Sequence, residues 1–302
     1  MRHTLVVTRQ PSSLLALDIG GTTIKGGVVC ASAGTAPRSW PTPLGPDATL
    51  HAVLAALHEL ADSAGVVRGI GIASPGIVDE DRGVIEFWSS VGWRNVALAD
   101  LVATEFGVQV AVVQDTNAAA RAEHAADPTL RGNFAFVGLG TGIGAAILLD
   151  GVVVRGRTGR AGELGHIRIS SGTRECLCGA IGCLDTVAAG WGLRRRYARR
   201  TGRDLTVSEI VTRLDTDPVA AKVWRDGCAA LGEALAALVL IADPGPIVLG
   251  GGLSLAQERL LGPVQAAFVA TSPLVAGGDV RLSRLGAGGS LAGALLAAEQ
   301  LR

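Results

Sequence analysis

Apolar positions fall along this chain in two rhythms. Three short continuous apolar runs each break into glycines with a hydroxyl residue nearby: LLALDIGGTTIKGGVV at 14–29, FAFVGLGTGIGAAILL at 134–149 and PIVLGGGLS at 246–254. Such runs predict buried strands joined by turns whose backbone N–H groups can approach a ligand closely. The first two share one plan, strand, glycine turn, strand, with Thr22 or Thr141 among the glycines. They read as a weak internal repeat, either two similar halves facing one cleft or convergent hairpins. Elsewhere the apolar spacing is helical and predicts helices over 50–63, 117–125, 187–201, 207–214, 218–241 and 291–301. A strand at 110–113, a capping Thr116 and the loop ADPTLRGN at 126–133 suggest a domain boundary between 116 and 127. Strands alternating with helices predict an α/β fold. The expected lobes are 1–118 and 119–290, with a final helix in 291–302 that is too short to stand alone and packs back on the first.

Composition narrows the function classes. With 302 residues, 48% of them hydrophobic, the chain can bury two cores. Lys plus Arg is 27 and Asp plus Glu is 27, so no net field holds a phosphate polymer or an anionic membrane, and no basic helix is read in it. No nucleic acid is expected as an obligate partner. The longest apolar run, 234–242, is nine residues, against the ~20 that span a bilayer. The start of the chain lacks a signal-peptide pattern, so a cytoplasmic location is expected.

Candidate chemistry sits in three places. Asp18 ends a buried strand, where an unpaired carboxylate is costly, and therefore calls for a cation such as hydrated Mg²⁺. Gly20, Gly21 and Thr22 follow it with donors for phosphate oxygens, while the absence of GxxxxGK[ST] excludes a P-loop enzyme. His166, Cys176, Cys178 and Cys183 supply one imidazole and three thiolates, the closed set typical of structural Zn²⁺, whereas Cys30 and Cys228 are expected in the core.

Taken together these motifs resemble the ROK family of bacterial sugar kinases, within the actin-like ATPase superfamily, from Leu14 to Leu296. DIGGTTIK and GLGTGIGAAIL look like its two phosphate motifs, and PIVLGGG like its nucleotide segment. VVQDTNAAARAE looks like its catalytic segment, and GELGH with CLCGAIGCLD like its sugar and zinc signature. The resemblance implies a two-lobed actin-like (ribonuclease H-like) fold with a central cleft, and Mg·ATP and a sugar as ligands. It places ATP against Asp18, Gly20, Gly21, Thr22, Lys25, Gly140, Thr141, Gly142, Gly144, Gly250, Gly251 and Gly252. It makes Asp115 the general base, a role that a carboxylate at a strand end facing a cleft can fill. It carries Ser90, Gln114, Glu163, His166 and Asp185 over, with Asp115, as sugar contacts. Glu163 and His166, three apart, can share one side of a helical turn. Members are commonly dimers or tetramers.

Three sugar-reading positions depart from the glucose-phosphorylating pattern: Gln114 for Asn, Asp185 for Glu, and Ser89 and Ser90 where Asn often precedes a Trp. One methylene gained or lost moves a polar group by ~1.5 Å. A buried polar group left unpaired costs ~1–3 kcal/mol. The expected acceptor is the primary hydroxyl of a hexose. The alternative is a glucose-like seven-carbon cyclitol, phosphorylated as in valiolone-type steps by related kinases of antibiotic pathways. A ROK-type sugar sensor or repressor is a third reading, opposed by only seventeen residues before Asp18 and by the intact Asp18 and Asp115.

Overall fold

The first glycine-broken run forms the hairpin of β1 (Ser12–Ile19) and β2 (Thr23–Cys30). The computed structural model describes residues 12–30, 33–34, 36–130 and 132–301, with backbone alone at 30, 33 and 34. These belong to two compact units, Met1–Asp115 with Leu291–Arg302, and Thr116–Ser290.

In the first unit, β3 (Ala33–Gly34) and β4 (Arg38–Pro41) lie beside β2, and α1 (Pro46–Ala64) leads into β5 (Val66–Ser74). A small antiparallel sheet of β6 (Ile77–Asp79), β7 (Val84–Trp88) and β8 (Trp93–Val96) follows, then α2 (Leu98–Phe106) and β9 (Gln109–Gln114). The main sheet runs β3-β2-β1-β5-β9, antiparallel at β1–β2 and parallel at β1–β5 and β5–β9. Helix α1 buries Val53, Ala56, Leu57 and Leu60, a helical stripe, against Leu15, Leu17, Ile70 and Ile72.

The second unit repeats this plan. From Thr116 onward it takes in α3 (Asp115–Ala126), then β10 (Phe134–Leu139), β11 (Ile143–Leu149) and β12 (Val152–Val153). There follow α4 (Asp185–Ala188), α5 (Gly190–Thr201), α6 (Val207–Thr212), α7 (Pro218–Ala242), β13 (Ile247–Gly250), α8 (Glu258–Thr271) and β14 (Val280–Leu282). The sheet order is β12-β11-β10-β13-β14, antiparallel at β10–β11 and parallel at β10–β13 and β13–β14. The apolar stretch of α7 packs Leu231, Leu235 and Leu238 into a core with Leu260, Val264 and Phe268 of α8. Among the described helices none is long and apolar enough to cross a membrane. The last helix, α9 (Gly289–Glu299), joins the first unit from Leu291 onward and lies so close to β5 that a Cβ at Gly71 would sit 1.9 Å from the Ala294 carbonyl oxygen.

Several elements differ from the sequence reading. The helix expected over 187–201 is broken at Ala189, which is extended (ψ 159°), because the N–H groups of Gly190 and Trp191 donate to the carbonyls of Gly140 and Thr141 at 3.0 and 3.2 Å. Thr116 does not cap α3, which already begins at Asp115; it lies buried within the first turn. Helix α5 carries Arg194, Arg195, Arg196, Arg199 and Arg200 without an acid, so a basic helix is present after all. The apolar pattern does not predict strand β5, because Gly69 and Gly71 look like breaks, although they are where Ala294 and Ala298 of α9 and the Leu301 side chain approach.

Candidate active site and metal centre

Asp18 lies on β1 with its residue only 8% exposed, opposite Lys25 on β2 and Ala73 on β5. Burial, then the Asp115 carboxylate, push its carboxyl up to about 7, with Lys25 pulling the other way. Two acids chosen from distant segments therefore lie within electrostatic reach of each other in the first unit. Two carboxylates this close favour a bound cation. Asp115 opens α3 directly after β9, and the backbone N–H of Gln114 at that strand's end donates to Glu80 Oε1 at 3.2 Å. Asn117 is buried in the same turn, and Ser90 is exposed in the turn between β7 and β8.

The first glycine turn is closed by the Gly20 N–H donating to the Thr23 carbonyl at 3.0 Å, and is held from outside by Thr42 Oγ1 on the Gly20 carbonyl at 2.7 Å. Thr22 is exposed at its tip. The second turn is closed in kind, Gly140 N–H to the Gly142 carbonyl at 2.9 Å, with Thr141 exposed. At Gly144 a Cβ would meet Thr116 Oγ1 at 2.7 Å, so glycine there makes room for α3. Gly251 has φ +88° and packs on Leu139, while Gly250 faces Phe136 and Gly252 faces open space. The loop after β14 is fixed by Glu123 of α3, which is 1% exposed and accepts from Arg284 N–H at 2.6 Å and Ser283 Oγ at 2.7 Å. That loop in turn accepts the Gly251 N–H on the Gly286 carbonyl at 3.1 Å. Sequence reasoning missed Glu123; the signal was a second acid, after Asp115, in an alanine-rich helix.

Glu163 precedes a single 3-10 turn, Leu164–His166, which brings His166 Nε2 to 3.7 Å from Glu163 Oε2. The other ring nitrogen, Nδ1, lies 3.6 Å from Cys176 Sγ, and Cys178 Sγ lies 3.7 Å from Cys183 Sγ. One ligand atom from each of the four residues falls within 4.8 Å of all the others. A tetrahedral zinc with bonds of about 2.0 Å to nitrogen and 2.3 Å to sulfur has edges of about 3.6 and 3.8 Å, so these residues fit such an ion. Burial, then Cys178 and Cys176, push the Cys183 thiol up to about 12; a bound cation relieves this crowding by taking the thiolates. Cys228 is 3% exposed, a core residue, and burial raises its thiol to about 12. Cys30 ends β2, and its side chain lies outside the described residues.

Asp185 is 7% exposed and accepts the Ile143 N–H on Oδ1 at 2.9 Å. Burial holds its carboxyl above the usual range, while His166, the Ile143 N–H and Trp191 pull against that. A Cβ at Gly165 would sit 2.3 Å from the same oxygen. Asp185 thus ties the second glycine turn to the GELGH segment, a contact that spacing alone did not reveal.

A model described as ROK family matches residues 14–300. The glucokinase of Halalkalibacterium halodurans is 32% identical over 301 residues, covering 90% of each chain. The kanosamine kinase of Amycolatopsis mediterranei is 29% identical over 261 residues, covering 85% of each. Among solved structures, a ROK family glucokinase from Streptomyces griseus in complex with glucose and AMPPNP superposes with a TM-score of 0.84 at 29% identity, over 95% of this chain and 99% of that one.

Proposed function

This chain belongs to the ROK family, with the α/β fold of the actin-like ATPases, and we propose that, as an ATP-dependent sugar kinase, it phosphorylates the primary hydroxyl of a hexose. The observation that carries the residue assignment is the pairing of Asp18 with Asp115. Asp115 accepts the proton of the sugar hydroxyl as that oxygen bonds to the γ-phosphorus; the bond from this phosphorus to the bridging oxygen breaks, and ADP leaves. Asp18 and Lys25 hold the charge balance around Mg·ATP, and Mg²⁺ neutralises phosphate oxygens when bound. The turns at Gly20–Thr22 and Gly140–Gly142 offer backbone donors, and Gly250–Gly252 lie along the nucleotide. Glu163 and the Nε2 face of His166 orient sugar hydroxyls. Zn²⁺ at His166, Cys176, Cys178 and Cys183 is structural: four protein ligands leave no position for a water.

A second reading is a kinase of a glucose-like seven-carbon cyclitol. Its support is Gln114, Ser90 and Asp185 at the sugar-reading positions, together with the commitment of one Asp185 oxygen to Ile143. The similar Amycolatopsis protein is a kinase of kanosamine, which agrees with variation of the acceptor. The deciding experiment measures ADP release from Mg·ATP with glucose, mannose, N-acetylhexosamines, allose and seven-carbon cyclitols. Glucose with the highest kcat/KM supports the hexose reading; a cyclitol ahead of it supports the second. In either case Asp115→Asn lowers kcat by about 10²–10⁴-fold, and full activity of that variant refutes the mechanism.

A further inference from the structure

A polar cavity of about 450 Å³ lies in the second unit, lined by none of the residues of the glycine turns. Its walls are the loop between His166 and Cys176, the start of α4, and one face each of α5 and α7. Arg174, Arg196, Arg200 and Lys222 line it against two carboxylates, Asp226 and Glu233. Both carboxylates are already engaged. Asp226 pairs with Arg196 at 2.6 Å and with Lys222 at 3.2 Å, and Glu233 accepts from the Ser170 N–H at 2.8 Å and Ser170 Oγ at 2.7 Å. Among the described residues Arg200 bonds only to its own helix, Nη1 donating to the Arg196 carbonyl at 3.1 Å. The half-buried Arg174 guanidinium has no ion pair or hydrogen bond among the described residues.

We propose that this cavity is a binding site for a phosphate monoester or inorganic phosphate, held by Arg174 and Arg200 with the hydroxyls of Ser171 and Thr173. A volume within the ~300–1,000 Å³ of small-molecule sites suits such a ligand. Two guanidiniums without carboxylate partners match a phosphate dianion, which guanidinium forks recognise in two-bonded geometry. In a chain of formal net charge +0, this local excess of cations is concentrated on a concave surface. The ligand would also be felt elsewhere. Ser170 to Arg174 belong to the loop whose two ends, His166 and Cys176, are in the metal cluster, and Thr186 in the wall follows Asp185 directly. Anchoring Arg174 therefore stiffens the segment that presents Glu163 and His166.

Calorimetric titration of the full-length protein with inorganic phosphate and with a hexose 6-phosphate tests this, using wild type, Arg174→Ala and Arg200→Ala. Millimolar or tighter binding that weakens about tenfold or more in both variants is expected, the loss of a charge-assisted bond being worth that factor. Arg200 lies outside the catalytic machinery, so ADP release by Arg200→Ala without added phosphate stays at the wild-type rate. Tighter binding of the hexose 6-phosphate identifies a sugar phosphate as the ligand; equal binding identifies the phosphate group itself. Arg200 is exposed in the last turn of α5, so its variant keeps the fold even where Arg174→Ala disturbs the loop. No binding to wild type up to about 10 mM, or binding unchanged in Arg200→Ala, overturns the proposal.

Discussion

The two glycine hairpins, β1–β2 in the first unit and β10–β11 in the second, are built alike and equipped differently. Each pairs antiparallel across its turn and parallel with the next strand, and each turn is closed by the N–H of its first glycine. In the first, the residue two before that glycine is Asp18, opposite Lys25 and Ala73; in the second it is Gly138, opposite Gly144 and Gly250. One frame therefore carries charge, and the other carries none and lets Thr116 and Phe136 press close. In the proposed kinase the first hairpin manages the cation and the second the backbone approach to phosphate.

The largest effect expected from breaking this contrast is on activity. Asp18→Asn lowers kcat/KM for Mg·ATP by on the order of 10²–10³-fold, with the midpoint of a Mg²⁺ titration moved upward. Glycine or alanine at Asp18, which would make the first hairpin resemble the second, brings no recovery. Steady-state ADP release measures both, and wild-type rates would end the assignment of charge to that hairpin.

Loss of the metal comes next and is confined to the second unit. Chelation, or Cys183→Ser, removes about one equivalent of zinc and destabilises the 166–183 loop, since structural zinc in isolated fingers is worth roughly 10–16 kcal/mol of folding free energy. Elemental analysis and limited proteolysis check this. Zinc-free protein whose loop protection and activity are unaltered by chelation contradicts the site.

Overpacking the uncharged hairpin costs less. Gly144→Ala is expected to destabilise by roughly 1–3 kcal/mol through its contact with Thr116, and Thr116→Ala in the same chain restores much of that. Gly138→Ala meets Thr116 at an ordinary 3.5 Å and serves as the mild control. Thermal unfolding of wild type, Gly144→Ala, Thr116→Ala, their double variant and Gly138→Ala reads the coupling.

The smallest effect is a pH slope. Because the Asp18 carboxyl rises from 3.8 to about 7 in the folded protein, it favours the folded state fully below 3.8, and that contribution is lost as pH rises through 7. Metal-free protein thus loses stability over this window, and Asp18→Asn flattens the slope. An unchanged slope in denaturant titrations at pH 4–7 would show that Asp18 titrates normally.

Much of this was written locally. Glycine clustering after apolar runs marks both hairpins, and the spacing of Cys176, Cys178 and Cys183 after His166 marks the candidate metal site, because turns and short loops depend on near neighbours. Helices 218–241 and 207–214 were legible from apolar positions at helical spacing. By contrast, Gly71 reads as a strand breaker until α9 is seen against it. The break at Ala189 is legible only once Gly190 and Trp191 are seen donating to the second turn. That one Asp185 oxygen is held by the Ile143 N–H, and that Arg174 shares a cavity wall with Arg196 and Arg200, is legible only in the fold. The sequence by itself determined which residue types are available for phosphate, metal and proton. Only the tertiary structure decided which of them face one another, because burial, repulsion and the competition for each hydrogen bond arise between segments far apart in the chain.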